Sequence, residues 1–246
     1  MATLSVILAA AGNSSRFRDN HYKKPFAPLA DRAVWLHSAE RFLNREDVKQ
    51  LILIIHPDAR EAFDSKFLAN VAILGIDVAE GGPQRCDSIA NALALVRDDV
   101  DLIAVHDAAR PCLANEWIDN VVAAADETGA AILAIPVAGT IKRSADGKKI
   151  DETVSRTNLW EAQTPQVFRR ALLMDAYAQR GEHNATDDAE LVERMGQAVT
   201  IVPGSPINMK ITTRDDLKFA AQAIKVLPKP KIMGTGHPFA DDDLWR

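Results

Sequence analysis

Hydrophobic and polar positions along this chain follow two periods that take turns. Leu4 to Leu8 (LSVIL) opens with Leu4, Val6, Ile7 and Leu8, a short apolar run of the kind that forms a strand buried on both faces. Ala33 to Leu43 then sets Val34, Leu36, Ala39, Phe42 and Leu43 at helical spacing, and Leu51 to Ile55 (LILII) predicts a second buried strand, closed by His56 and Pro57. A helix around Arg60 to Leu68, a strand around Ile76 to Ala79, a helix over Ser88 to Leu95, a strand over Leu102 to Val105, a helix over Glu116 to Glu127 and a strand over Ala130 to Ile135 continue the alternation. That order predicts an α/β fold, a doubly wound, mostly parallel sheet covered by helices on both faces.

The rhythm breaks at Val137 to Val154 (VAGTIKRSADGKKIDETV), where two polar β-type runs flank Asp146-Gly147, a strong hairpin signal. So little apolar content cannot belong to a core. The segment is expected to protrude as an arm that packs on another subunit, carrying Thr140, Lys142 and Arg143. Arg156 to Gln166 returns the chain to the body, with Thr164 and Gln166 expected in a rigid polar turn. Thr186-Asp187-Asp188-Ala189 caps a helix to about Met195, Val199 to Val202 is the last strand, and Thr213-Arg214-Asp215-Asp216 caps a final helix to Val226. Beyond it the chain, with Pro228, Pro230, Gly234, Gly236 and Pro238, has neither period. The expected organisation is one domain over residues 1–226 with an arm at 137–156, and a loose extension at 227–246.

Composition narrows the partners. At 246 residues, 47% hydrophobic and 26% charged, the chain has the balance of a globular protein with a substantial core. A net charge of −5 and a pI near 5.7 argue against a nucleic-acid surface and leave small anionic substrates the better fit. No apolar stretch approaches the roughly 18 to 20 residues of a membrane span, and the N-terminus lacks the pattern of a secretory leader, so no membrane partner is expected and the cytoplasm is the expected location. Cys86 and Cys112 are the only cysteines, without the spacing of a disulfide framework or a zinc site.

Candidate chemistry gathers where strands end. After the first strand come Ala9, Ala10, Ala11 and Gly12, small residues that let a ligand lie against the backbone, then Asn13, Ser14 and Ser15, whose amides can surround a phosphate. One glycine makes neither the dinucleotide fingerprint nor the P-loop. Arg16, Lys23 and Lys24 add the positive charge that a triphosphate needs. In EGGPQRCDS, Gly81, Gly82 and Pro83 turn the chain, and Arg85 and Ser88 sit at the first turns of the next helix, where amides, a cation and a hydroxyl can converge. The strand over Leu102 to Val105 runs into His106-Asp107-Ala108-Ala109-Arg110. Asp107 could orient a hydroxyl or help hold a metal, and Arg110 could grip a phosphate bidentately. Ordinary explanations stand beside each: a turn with solvated basic residues, a helix cap, a structural salt bridge.

In combination and order, AAAGNSSR (Ala9 to Arg16), KKPF (Lys23 to Phe26), GGPQRCDS (Gly81 to Ser88), VHDAARPC (Val105 to Cys112), TPQ (Thr164 to Gln166), TDD (Thr186 to Asp188) and NMKIT (Asn208 to Thr212) resemble the 2-C-methyl-D-erythritol 4-phosphate cytidylyltransferases of non-mevalonate isoprenoid biosynthesis. The likeness runs from Leu4 to about Ala223. It implies a Rossmann-like nucleotidyltransferase fold, a homodimer joined through the arm, and Mg²⁺-assisted transfer of CMP from CTP to a sugar-alcohol phosphate with release of pyrophosphate. By position it implies Ala10, Ala11, Gly12, Gly82 and Ser88 around the cytidine, and Arg16 and Lys24 on the triphosphate. It implies Asp107, Arg110, Thr164 and Lys210 around the acceptor and the reacting phosphate, with Lys210 joining Arg16 and Lys24 as catalytic cations. Thr140 and Arg156 would reach the acceptor from the partner subunit's arm. No residue is assigned as a metal ligand.

The chain departs from the family pattern twice. Ser14 and Ser15 replace a glycine and a basic residue, and Lys23-Lys24-Pro25 stands where the family commonly reads Pro-Lys-Gln, which makes Lys24 the favoured phosphate ligand of the two lysines. The acceptor phosphate is already an anion, so the implied reaction needs cations and positioning more than a general base, and His106 is expected to be structural. A cytidylyltransferase for ribitol 5-phosphate and a non-catalytic CTP-binding module remain alternatives at this point.

Overall fold

The structure, a computed structural model, describes residues 2–12, 17 and 23–228. In chain order the elements are β1 (Leu4–Ala9), β2 (Pro28–Leu29), β3 (Arg32–Ala33), α1 (Val34–Leu43), β4 (Val48–Ile55), α2 (Arg60–Leu74), β5 (Asp77–Glu80), α3 (Arg85–Leu93), β6 (Leu102–Asp107), α4 (Asn115–Thr128) and β7 (Ala130–Pro136). There follow β8 (Ile141–Arg143), β9 (Glu152–Val154), β10 (Trp160–Arg169), α5 (Arg170–Ala178), α6 (Asp188–Arg194), β11 (Thr200–Pro203) and α7 (Arg214–Ala223). Seven strands form one sheet in the order β11-β7-β10-β6-β1-β4-β5, parallel except for β10, which runs antiparallel between β7 and β6.

The period-two register explains the two apolar layers. On one face Leu4, Val6 and Leu8 of β1 join Leu51, Leu53 and Ile55 of β4 under Trp35 and Phe42 of α1, Phe63 of α2 and Ile118 of α4. On the other, Ile7, Ile52, Ile54, Ile103 and Val105 meet Cys86 and Ile89 of α3, Leu173 of α5 and Val192 of α6. Side chains that alternate along one strand therefore serve two layers of helices, as a doubly wound sheet requires. Among the described residues no helix is long and apolar enough to cross a membrane.

Two expectations are corrected, and one element is added. The stretch around Thr164 is part of β10, a ten-residue strand, rather than a turn. Its polar residues and Pro165 disguise it, because Pro cannot donate to a ladder; the strand accommodates Pro165 at an irregularity where the pairing with β7 jumps from Ala162↔Ala134 to Gln166↔Ile132. Helix α5, which no expectation covered, buries Leu173, Ala176 and Tyr177. The arm strands β8 and β9 do pair, separately from the main sheet, but they are joined by residues 144–151 and not by a two-residue turn at Asp146-Gly147. There the Asp146 carboxylate accepts from the amides of Lys148 and Lys149 at 2.7 and 2.9 Å, a local arrangement that competes with a tight hairpin.

Candidate active site

The strands β1, β5 and β6 point their carboxyl ends at one cavity of about 300 Å³. Its floor is the small-residue turn Ala9 to Gly12 and its wall the turn that joins β5 to α3. The two turns touch. A Cβ on Gly81 would lie 2.5 Å from the Cβ of Ala11, and one on Gly82 would lie 2.4 Å from the Cβ of Asp87, so neither position has room for a side chain without displacing its neighbour. The Gly82 amide donates to Ser88 Oγ at 3.0 Å, and that hydroxyl donates onward to the Gln84 carbonyl at 3.0 Å. Ala10, Ala11, Gly12, Gly82 and Ser88 therefore all line the cavity, with the Ser88 hydroxyl engaged in shaping the turn.

At the opposite wall Asp107, the last residue of β6, meets Lys210, whose Nζ is 3.0 Å from Oδ2, and Arg110, whose Nε is 3.1 Å from the same oxygen. Burial by itself would raise the Asp107 pKa, but the charges of Lys210, Arg110 and Arg85 outweigh it and hold the carboxyl well below the usual range. Arg110 does not stand open to a ligand: it is buried, and its Nη1 donates to the main-chain oxygen of Asn208 at 2.7 Å. Nor does Thr164. Its hydroxyl oxygen accepts from the Asp107 amide at 3.0 Å and meets Nδ1 of His106 at 3.0 Å. Because Nε2 of His106 lies 3.1 Å from the Arg110 carbonyl, which can only accept, that nitrogen carries the proton and the Thr164 hydroxyl donates to Nδ1. His106 is wholly buried, and desolvation lowers its pKa to about 4, so it is neutral at pH 7. Arg110 and Thr164 thus stand behind Asp107.

Lys24 enters the cavity from the third side, whereas Lys23 does not line it. Lys24 opens a single 3₁₀ turn, Lys24–Phe26, with Pro25 at its start. Phe26 fixes that turn by packing on Phe63 and Phe67 of α2, with ring centroids 5.5 and 6.0 Å apart. Arg16, with Asn13 to Ser15, lies outside the described residues. Thr140 and Arg156 sit exposed on the arm, away from the cavity lining, and the Arg156 guanidinium donates to the Ala138 carbonyl.

Sequence reasoning missed the residues that brace this site. Gln163, Gln166, Asp188 and Asn208 are all buried. Asn208 Nδ2 donates to the Thr164 carbonyl at 2.9 Å, and Gln166 Oε1 accepts from the amides of Asp188 and Ala189, both at 3.1 Å. The only sequence signal was the presence of Gln166, Asp188 and Asn208 in the short polar runs TPQ, TDD and NMKIT, with Gln163 just before the first. Among the described residues no group of three or more His, Cys, Asp or Glu is placed to hold a metal ion, and Asp107 is the one carboxylate in the described lining.

A mostly parallel sheet that gathers a glycine-lined cleft, two lysines and one carboxylate beyond the ends of its strands has the architecture of an α/β protein that binds an anionic, nucleotide-like ligand. Comparison with known proteins narrows the class. A model of the 2-C-methyl-D-erythritol 4-phosphate cytidylyltransferase family matches residues 4–226. The enzyme of that name from Rhodopirellula baltica is 41% identical over 231 residues, covering 89% of this chain and 93% of the relative, and that from Bacillus velezensis is 40% identical over 224 residues, covering 89% and 95%. The solved structure of the Thermus thermophilus enzyme superposes with a TM-score of 0.75 at 30% identity, over 92% of this chain and all of the other. The chain belongs to the 2-C-methyl-D-erythritol 4-phosphate cytidylyltransferase family.

Proposed function

We propose that this chain transfers CMP from CTP to 2-C-methyl-D-erythritol 4-phosphate, releasing pyrophosphate and forming 4-diphosphocytidyl-2-C-methyl-D-erythritol. The observation that carries the reading is the convergence of Lys24 and Lys210, far apart in sequence, on a cavity whose other walls are the tight turns at Gly12 and Gly82. Cytidine lies against those turns, where backbone groups can read the base edge; at the second of them a side chain on Gly82 would collide with Asp87 and spread the turn.

The obstacle to the reaction is repulsion between an anionic nucleophile and an anionic electrophile. Lys24 places its charge on the triphosphate, together with Arg16 in the family pattern, and Lys210 meets the acceptor phosphate beside Asp107. Asp107, held ionised, fixes the direction of the Lys210 ammonium, while Arg110 and Thr164 fix Asp107 from behind. No histidine needs to take a proton. Asp107, the one carboxylate in the described lining, would be the protein ligand to a Mg²⁺ ion that takes its other oxygens from the phosphates, and the ion would supply charge neutralisation where the phosphates meet. Thr140 and Arg156, remote from the cavity of their own chain, are assigned to the acceptor side of a partner's cavity in a homodimer built through the arm.

Pyrophosphate release measured with each of the four nucleoside triphosphates and with either 2-C-methyl-D-erythritol 4-phosphate or ribitol 5-phosphate tests the reading. Turnover is expected with CTP and the methylerythritol phosphate; turnover confined to another pair, or CTP binding without release, would refute it. The named relatives favour the methylerythritol acceptor over the ribitol one.

A further inference from the structure

One cation of the cavity has no part in the reaction so far. Arg85, at the start of α3, lines the cavity with its side chain 29% exposed. Behind it lies Asp188, at the start of α6, which is fully buried. The guanidinium grips that carboxylate with both terminal nitrogens, at 3.1 Å to Oδ1 and 2.5 Å to Oδ2, and the Tyr177 hydroxyl of α5 donates to Oδ1 at 2.6 Å. Gln166 of β10 holds the amide of Asp188 at 3.1 Å. Three helices and the antiparallel strand are thus committed to the position of one arginine.

The orientation has chemical content. Asp188 takes two of the five guanidinium N–H donors, which leaves three for other partners. The buried carboxylate stands behind and the cation in front, so the pair is a fixed dipole with its positive end at the cavity. A donor locked this way loses little entropy when an anion arrives and needs no rearrangement during reaction. A salt bridge needed only to tie α3 to α6 has no reason to face the same cavity as Lys24 and Lys210.

We propose that Arg85 is a further substrate-contacting residue, donating to a phosphoryl oxygen of the ligands that meet in the cavity, and that Asp188 is the positioning residue that aims it. The inference rests on the reaction assigned above. It adds a third fixed cation on the wall formed by the turn after β5.

Arg85→Ala is expected to lower kcat/KM at least about a hundredfold, the scale of losing one contact made to developing charge. Added guanidinium ion should restore part of that activity, whereas urea, which is uncharged, should not. A larger rise in KM for CTP than for the acceptor assigns the contact to the donor triphosphate, and the reverse assigns it to the acceptor phosphate. Asp188→Asn should cost roughly tenfold to a hundredfold in the native background and nothing further in Arg85→Ala, since it acts through the arginine. If Arg85→Ala does not fold, Arg85→Lys is read in its place and is expected to lose at least about tenfold, because one ammonium cannot reproduce the fork. Inorganic tripolyphosphate, whose binding depends on neither base nor acceptor, separates this inference from the reaction: Arg85-dependent binding by calorimetry without CMP transfer sinks the reaction and keeps the contact. Activity within twofold of the native enzyme, or loss of activity that guanidinium does not rescue in a folded Arg85→Ala variant, overturns the proposal.

Discussion

The Asp107 carboxylate shows how individual residues are tuned here by what surrounds them. A buried acid would ordinarily resist ionisation, yet Lys210, Arg110 and Arg85 keep it charged. Its folded pKa lies below its unfolded value, so its contribution to stability is present above about pH 4 and is lost as pH falls through the folded pKa. His106 adds a second acid-sensitive contribution, by burial. Its pKa is near 4 in the folded chain against about 6.5 unfolded, so the unfolded state binds the extra proton between those values. Stability should therefore decline by roughly 3 kcal/mol as pH drops from about 6.5 to 4 on this account, and His106→Gln, which can keep one donor and one acceptor, should flatten the decline in urea titrations run across that range. An unchanged slope would place the titration elsewhere. Lys24→Ala should reduce turnover at least about a hundredfold with the fold intact; near-native turnover would remove Lys24 from the triphosphate.

Single elements matter because each delivers one group. The 3₁₀ turn Lys24–Phe26 has no ladder to hold it, and Phe26 is its anchor on α2. Phe26→Ala should cost less than the roughly 3 to 5 kcal/mol of a fully buried ring, since Phe26 is partly exposed, but should lower kcat by displacing Lys24. A lower melting temperature with native kcat would show that the ring only packs. Strand β10 presents the opposite case, an element disguised by its polar residues. Gln163, Thr164 and Gln166 are buried because each has a partner: Ser205, the Asp107 and His106 pair, and the first turn of α6. Gln166→Ala would leave the amides of Asp188 and Ala189 without that acceptor, which predicts a loss of about 1 to 3 kcal/mol in unfolding free energy measured by urea.

At the scale of the whole molecule the arm sets a question of assembly. Strands β8 and β9 form their own two-stranded sheet, and Ile141, Ile150, Leu159 and Trp160 in and around the arm are exposed. If the arm completes a neighbour's site, mixing an inactive Lys24→Ala chain with an inactive Arg156→Ala chain should regain activity in hybrid dimers, and absence of any recovery would mean each chain's site is self-contained. The fold class, most of the helices and strands and the small-residue turns could be read from the chain, because apolar period, capping residues and small side chains act over a few neighbours. The family likeness carried the rest of the substrate assignment. What the linear order could not settle was every interaction whose partners are distant: that Arg110 and Thr164 support Asp107 and do not face the cavity, that TPQ is a strand and not a turn, that Asp188 grips Arg85. The deciding contacts span 57 positions for Thr164 with Asp107, 98 for Arg110 with Asn208 and 103 for Arg85 with Asp188, and no local pattern encodes which polar group will meet which. Local sequence decides what each segment can be; only packing the two helical layers onto one sheet decides which side chains face the ligand and which are used up holding them.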